Sequence, residues 1–290
     1  MKVRKNMRKI GFVIVNYNDA KTTIRLLNQL KEFKNIDSIV VVDNNSTDDS
    51  FVQLKEQENG NITIIKNSEN KGYASGMNTG ARYLINKIGK CHIIFSNSDI
   101  IIKNAKDLNT LSSDINNEVA VASPVIEEHG NLNRGWKKTT SFTESLLNLP
   151  YISRYFKKKK LYYKNEHYQK DKSYVDVVSG CFFMVDSEAL EQVDYFDENT
   201  FLYYEELIFA KKLEKAGKKL IVDNRVKVIH DHSVTIDKNI KRINKYKILK
   251  ASQRYYVKNY LKGNLLEMAL LYITNKLSLF ILYIRCLGRR

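Results

Sequence analysis

The sequence predicts an α/β protein: a mixed, mainly parallel Rossmann-like sheet flanked by helices, followed by a helical extension at the C-terminus. Three observations carry this. Four short β-branched runs, at residues 10–15, 38–42, 62–65 and 92–95, are separated by amphipathic stretches, the spacing of βαβ units. Each run is followed by a polar cluster, as expected where strands end at a ligand-bearing edge. Beyond residue 237 the strand signal stops and long helical periodicity takes over.

The elements follow in order. After the first strand, Asp19 or Thr22 can cap a helix reaching Phe33; after the second, Ser46 or Thr47 can cap one reaching Gln57; residues 73–87 read as a third. Gly72, Gly76 and Gly80 recur every fourth residue, a smooth stripe that lets a helix approach its sheet closely. Residues 119–125 and 175–185 read as strands, and residues 201–216 as a strand end entering a helix that Gly217 stops. Residues 220–222 and 226–229 complete the sheet, and helices are expected over 239–260 and 265–284. The expected division is a first domain over 8–236 and a basic, amphipathic extension over 237–290.

The chain has 290 residues, 43% of them hydrophobic, which excludes a disordered or fibrous protein. Cys91, Cys181 and Cys286 form no CxxC pair, so neither a disulfide framework nor a structural zinc site is expected. The apolar run after the basic start is too short for a signal-peptide core, and a cytoplasmic location is expected. The net charge of +16 is concentrated in residues 151–172, which include the run Lys157–Lys160, and in residues 248–290. A basic chain could bind nucleic acid, but no recognition motif appears, and Asp43, Asp48, Asp49 and Asp99 make the strand edge acidic. No nucleic-acid partner is expected.

The polar clusters are Asn16-Tyr17-Asn18, Asp43 to Ser50, Asn70-Lys71-Gly72-Tyr73 and Asn97-Ser98-Asp99. Neither a Walker P-loop nor a dinucleotide fingerprint is present. With Ser179-Gly180-Cys181, Phe196-Asp197-Glu198, Tyr204-Glu205-Glu206 and Val228-Ile229-His230, their order and spacing resemble the family 2 glycosyltransferases of the GT-A fold. The likeness runs from Ile10 to Ser233 and is nearest the rhamnosyltransferase-like branch that builds bacterial surface polysaccharides of capsule and cell wall.

That resemblance implies an inverting enzyme that moves a hexosyl or rhamnosyl group from a UDP- or dTDP-sugar to a hydroxyl of a lipid-linked glycan. It implies nucleotide contacts from Asn16, Tyr17, Asn18, Asp43, Asn45, Asn70, Gly72, Asn78 and Asn97, with Asp43 accepting from the base. Asp99 and His230 would hold a divalent cation, Mn²⁺ or Mg²⁺, against the diphosphate. Glu206 or its neighbour Glu205 would take the proton of the acceptor hydroxyl. Ser179, Gly180, Cys181 and His232 would shape the sugar and acceptor pocket.

Three positions depart from the family pattern. Asn97-Ser98-Asp99 stands where Asp-x-Asp is common, Glu205-Glu206 where Glu-Asp is usual, and Ile208 where the branch often has Asp. Residues 265–284 are mostly apolar but include Glu267, Asn275 and Lys276, so a helix lying at an anionic membrane surface is expected rather than a spanning one. A dimerisation helix is the alternative for that segment. A nucleic-acid-binding protein or a non-catalytic membrane scaffold is the alternative for the whole chain.

Overall fold

The computed structural model describes residues 8–149, 152–154, 161–231 and 242–287. Its frame is a ten-stranded mixed sheet. The first half alternates β1 (Lys9–Asn16), α1 (Ala20–Leu30), β2 (Ser38–Asp43), α2 (Ser50–Lys55), β3 (Ile62–Lys66), α3 (Tyr73–Ile88) and β4 (Cys91–Ser96). The second half contains β5 (Ile100–Ile102), α4 (Lys106–Asp114), β6 (Val119–Glu128), β7 (Asn131–Asn133) and α5 (Ser141–Leu147). It continues with β8 (Lys172–Val175), β9 (Phe182–Asp186), α6 (Ser187–Gln192), α7 (Glu205–Lys215) and β10 (Lys219–His230). Two long helices, α8 (Arg242–Asn259) and α9 (Leu265–Leu287), end the chain.

The strands lie in the order β3-β2-β1-β4-β9-β6-β10-β5, with β7 on β6 and β8 on β10. β3, β2, β1 and β4 are mutually parallel, and β10 is parallel to β6, while β9 runs antiparallel between β4 and β6. Parallel strands are covered on both faces, and β2 and β4 are buried at every position. One face packs Leu26, Leu27, Leu30, Leu54, Leu108 and Leu111 from α1, α2 and α4. The other packs Met77 and Leu84 of α3, Leu190 of α6, and Phe209 and Leu213 of α7.

The glycine stripe sets the α3–sheet distance. A Cβ on Gly76 would lie 2.8 Å from Val15, and one on Gly80 would lie 2.5 Å from Val13, both too close for carbon atoms. Any larger residue would lift the helix off β1.

Several expectations need correction. α1 and α2 begin at Ala20 and Ser50, with Asp19 and Asp49 at the cap positions and no side-chain cap bond to either helix. Ser46 and Thr47 do not cap because their hydroxyls are taken by the loops at the strand ends, as described below. The strand expected over 175–185 is two strands, β8 and β9, because Val177 leaves the ladder to bridge Trp136. Residues 220–222 and 226–229 form a single strand, β10, with a register shift between Asp223 and Lys227. Residues 201–204 are not strand, and Tyr203 and Tyr204 have φ of 72° and 74°.

Among the described residues, Leu265–Ile284 within α9 is the helix long and apolar enough to cross a membrane, by length and composition. α8 joins the rest of the fold through Tyr256, which packs with Tyr204 and Ile208. The boundary expected near residue 236 lies outside the described residues, as do His232, the Lys157–Lys160 run and the last three residues.

Candidate active site

The register of β1 on β2 sets Asn16 beside Asp43, so the two strands deliver their polar ends together. Asp43 is fully buried, and its carboxylate accepts from Asn16 Nδ2 at 2.9 Å, Ser46 Oγ at 2.5 Å and Ser46 N at 3.0 Å. Three of the roughly four acceptor positions of a carboxylate are thus used by the loop itself, which fixes its plane. Asn18 ties the same loops together, accepting from Thr47 N at 2.8 Å and donating to Thr47 Oγ1 at 3.0 Å. Asn18 and Asn45 sit at φ of 52° and 60°, a left-handed conformation that asparagine tolerates better than most side chains. Tyr17 stands half-buried between Asn16 and Asn18.

Asn70 serves the next loop. Its Oδ1 accepts from Gly72 N at 3.0 Å and from Asn44 Nδ2 at 2.9 Å. Asn44, buried and absent from the sequence-derived set, also donates to the Gly72 carbonyl and accepts from Asn67 Nδ2. The consecutive asparagines after Asp43 were the available signal for it. Gly72 has φ of 105°, and a Cβ there would fall 2.2 Å from the Phe201 carbonyl oxygen, so only glycine fits. The next residue, Tyr73, donates its backbone N–H to that same carbonyl at 3.0 Å.

Asn78 is placed differently from the nucleotide contact expected of it. Its amide nitrogen donates to the Phe196 carbonyl at 2.9 Å and to Glu198 at 2.7 Å, while its oxygen accepts from Phe196 N at 3.0 Å. With both N–H groups committed and the side chain buried, it anchors the loop after α6 rather than presenting donors to a ligand.

At the end of β4, Asn97 donates its backbone N–H to the Cys181 carbonyl at 2.8 Å, and its side-chain oxygen accepts from the Tyr73 hydroxyl at 3.0 Å. Asp99 is buried just before β5, whose antiparallel pairing sets Ile100 opposite His230. As a result His230 Nε2 lies 3.2 Å from Asp99 Oδ1, and its Nδ1 lies 3.7 Å from Glu128 Oε1. Burial alone would lower the His230 pKa. The hydrogen bond to Asp99 and the charges of Asp99, Glu128 and Asp231 outweigh it, and the net shift is upward.

Glu205 and Glu206 open α7 directly after Tyr203 and Tyr204, two successive residues in the left-handed region that store backbone strain. Glu205 is buried; burial first, and then the charge of Glu206, push its pKa up to about 8. Burial also raises the pKa of the half-buried Glu206. Gly180 lies against Glu206, since a Cβ on it would be 3.5 Å from the Glu206 carboxylate, and Ser179-Gly180-Cys181 therefore forms a wall beside that group. Ser179 Oγ is 3.2 Å from Cys181 Sγ, and burial pushes the thiol up to about 12, so Cys181 is not a thiolate nucleophile.

The Tyr73 phenol links these parts. Burial raises its pKa well above the ordinary value, and the charges of Glu205, Cys181, Asp99 and Glu206 raise it further. Asn97 is bonded to the Tyr73 hydroxyl and to the Cys181 carbonyl, and Gly180 lies against Glu206, so the end of β4, the loop before β9 and the start of α7 lie together. Among the described residues no three His, Cys, Asp or Glu side chains form a ready-made metal cluster. Asp99 and His230 nevertheless offer a carboxylate oxygen and an imidazole nitrogen side by side, a donor pair suited to Mn²⁺ when ligand oxygens and water complete the shell.

Sequence reasoning missed what holds the Tyr203–Tyr204 turn. Glu144 of α5, fully buried, accepts from the Tyr204 hydroxyl at 2.6 Å, from Thr139 Oγ1 at 2.6 Å and from Gln253 Nε2 of α8 at 2.9 Å. Ser252, also of α8, donates to the Leu202 carbonyl at 2.8 Å. No local pattern could have announced this, because the partners are separated by 50 to 109 residues in sequence.

Comparison with known proteins follows the same lines. Residues 12–194, more than half of the chain, match the family model "Glycosyl transferase family 2". A curated relative, the low-salt glycan biosynthesis hexosyltransferase Agl10 of Haloferax volcanii, is 24% identical over 227 residues, covering 78% of this chain and 68% of that one. Among solved structures, the mannosyltransferase PcManGT from Pyrobaculum calidifontis, in complex with GDP-Man and Mn²⁺, superposes with a TM-score of 0.58 at 16% identity, covering 95% of this chain and 73% of that one. S. aureus TarS 1–349 with UDP-GlcNAc gives 0.52 at 17% identity, over 92% and 79% of the two chains. GalNAc-T7 with UDP, GalNAc and Mn²⁺ gives 0.58 at 16% identity over 78% of this chain, which spans only 44% of that longer protein. The structural likenesses speak for the fold; with the family match over residues 12–194, they place this chain among the members of glycosyl transferase family 2.

Proposed function

We propose that the chain is an inverting glycosyltransferase that uses a UDP- or dTDP-sugar and glycosylates a hydroxyl of a lipid-linked glycan, in the rhamnosyltransferase-like manner its motifs suggest. The observation that carries the reading is the meeting of these segments: the Tyr73 hydroxyl donates to Asn97, the Tyr73 amide donates to the Phe201 carbonyl shortly before Glu205 and Glu206, and Gly180 lies against Glu206. Asp43 takes the base, while Asn16, whose amide donates to Asp43 and Ser46, holds that carboxylate in place, and the loop from Asn70 to Tyr73 and Asn97 frames the rest of the nucleotide. Asp99 and His230 would hold a divalent cation, which would supply positive charge to the departing diphosphate. Glu206 removes the acceptor proton as the hydroxyl oxygen bonds to the anomeric carbon, and the bond from that carbon to the diphosphate oxygen breaks on the opposite side. A single displacement of this kind inverts the anomeric centre and needs no enzyme nucleophile. Glu205, held largely protonated at neutral pH, orients the acceptor as a hydrogen-bond donor.

In this reading residues 8–236 carry transfer, and 237–290 keep the enzyme on the inner face of the cell membrane, near its acceptor. The test pairs two variants. Asp99→Ala should abolish the Mn²⁺-dependent thermal shift produced by UDP or dTDP, with GDP as the comparison nucleotide. Glu206→Gln should keep that shift and lose transfer by about 10²–10⁴-fold, the usual contribution of a general base. Wild-type transfer by Glu206→Gln would move the base elsewhere.

A further inference from the structure

The last helix buries polar residues and exposes apolar ones. Along α9, Thr274, Asn275 and Ser278 face the protein and are buried together with Leu271 and Leu282, while Leu266, Ile273, Leu277, Phe280 and Ile284 stand 46–83% exposed along one outer stripe. A surface helix ordinarily does the opposite. The inner face is fastened by polar bonds: Asn148 Nδ2 donates to Thr274 Oγ1 at 2.9 Å and the Tyr246 hydroxyl to Ser278 Oγ at 2.5 Å. A helix fastened lengthwise in this way cannot be ringed by lipid, so its apolar stripe can only lie along a surface.

Beside that stripe is a basic groove. Lys247, Arg254 and Lys258 form the exposed side of α8. Between α8 and α9 lies a cavity of about 270 Å³, lined by Tyr246, Lys247, Lys250, Arg254, Tyr272 and Lys276, with no carboxylate among the described lining residues. Asn275 also lines it; this amide is 4% exposed, and neither its nitrogen nor its oxygen has a hydrogen-bond partner. A buried amide in that condition is a cost that a ligand oxygen would relieve.

We propose that this groove is a lipid-phosphate site: an anionic phospholipid of the bilayer seats its phosphate among Arg254, Lys276 and the Asn275 amide while the outer stripe of α9 enters the acyl boundary. The proposal deepens the membrane placement given above and rests on it. A second copy of the chain fits less well as the occupant, because a self-complementary contact over this face would bring the Lys247–Arg254–Lys276 patches of two copies together.

The test uses the full chain in flotation with phosphatidylcholine vesicles, with and without phosphatidylglycerol. Binding is expected only to the anionic vesicles and should fall with added salt. The double variant Ile273→Glu with Phe280→Glu should abolish it, and Arg254→Gln with Lys276→Gln should weaken it by roughly tenfold or more. Asn275→Leu should lose several-fold in binding while the melting temperature without lipid holds or rises, a split that a merely structural asparagine would not give. Equal binding to neutral vesicles, wild-type binding by Asn275→Leu, or a dimer dispersed by the two glutamates would each overturn the proposal. UDP-dependent thermal shift with Mn²⁺ is measured in parallel. Absence of any such shift in the wild-type chain, with dTDP as well as with UDP, would sink the transferase reading while leaving the vesicle result standing.

Discussion

Two groups of residues in the candidate site are held by different means. Where the proposed function puts the nucleotide, Asp43 is fixed by Asn16 and Ser46, partners on the same or the neighbouring strand end. Where it puts the general base, Glu205 and Glu206 follow two strained tyrosines braced by Glu144, Gln253 and Ser252, residues of α5 and α8. A site fixed by its own loops keeps its geometry when distant parts of the chain change. A site braced from outside is only as rigid as its brace, so under the proposed function α8 supports the residues that would carry proton transfer.

The comparison can be broken most severely at Glu144. Glu144→Ala leaves the buried Tyr204, Thr139 and Gln253 groups without their shared acceptor and is expected to cost about 3 kcal/mol of stability by denaturant titration. It should lower kcat by roughly 10²-fold through misplacement of the base, with the Kd for UDP nearly unchanged. If UDP affinity falls with kcat, the two sides are not separately supported. Asp43→Asn should do the reverse, weakening nucleotide binding in calorimetry by about 1.5–3 kcal/mol while leaving kcat at saturating donor close to wild type.

The smallest effect sharpens the electrostatics. Folding raises the Glu205 pKa, so the folded state holds a proton that the unfolded chain has already released. This costs nothing below the ordinary carboxylate range, and the penalty grows as pH climbs toward about 8. Glu205→Gln should therefore melt with the wild type at pH 4 and above it at pH 8, with the difference growing over that interval. Transfer by the wild type should show an acidic limb displaced upward from the ordinary glutamate value, because Glu206 must lose its proton to act and burial raises its pKa.

The parallel half of the fold was legible because β1, β2 and β4 are continuous buried runs of Val, Ile and Phe, where composition and environment agree. The clusters after those strands were legible because their bonds are local, as between Asp43 and Ser46. β5 and β7 escaped notice because three residues carry no period, and the division between β8 and β9 depends on Trp136, some forty positions upstream. Asn78 was misread because its spacing in the motif is the same whether its amide meets a ligand or the Phe196 backbone. Tyr203 and Tyr204 look like strand residues, and the groups that bond to their left-handed turn come from α5 and α8, far away in sequence.

Position 72 joins the two sides. The Phe201 carbonyl that leaves no room for a side chain there also receives the Tyr73 amide, so the loop from Asn70 to Tyr73 and the segment leading to Glu205 meet at one oxygen atom. A methyl group at residue 72 would wedge these two segments apart.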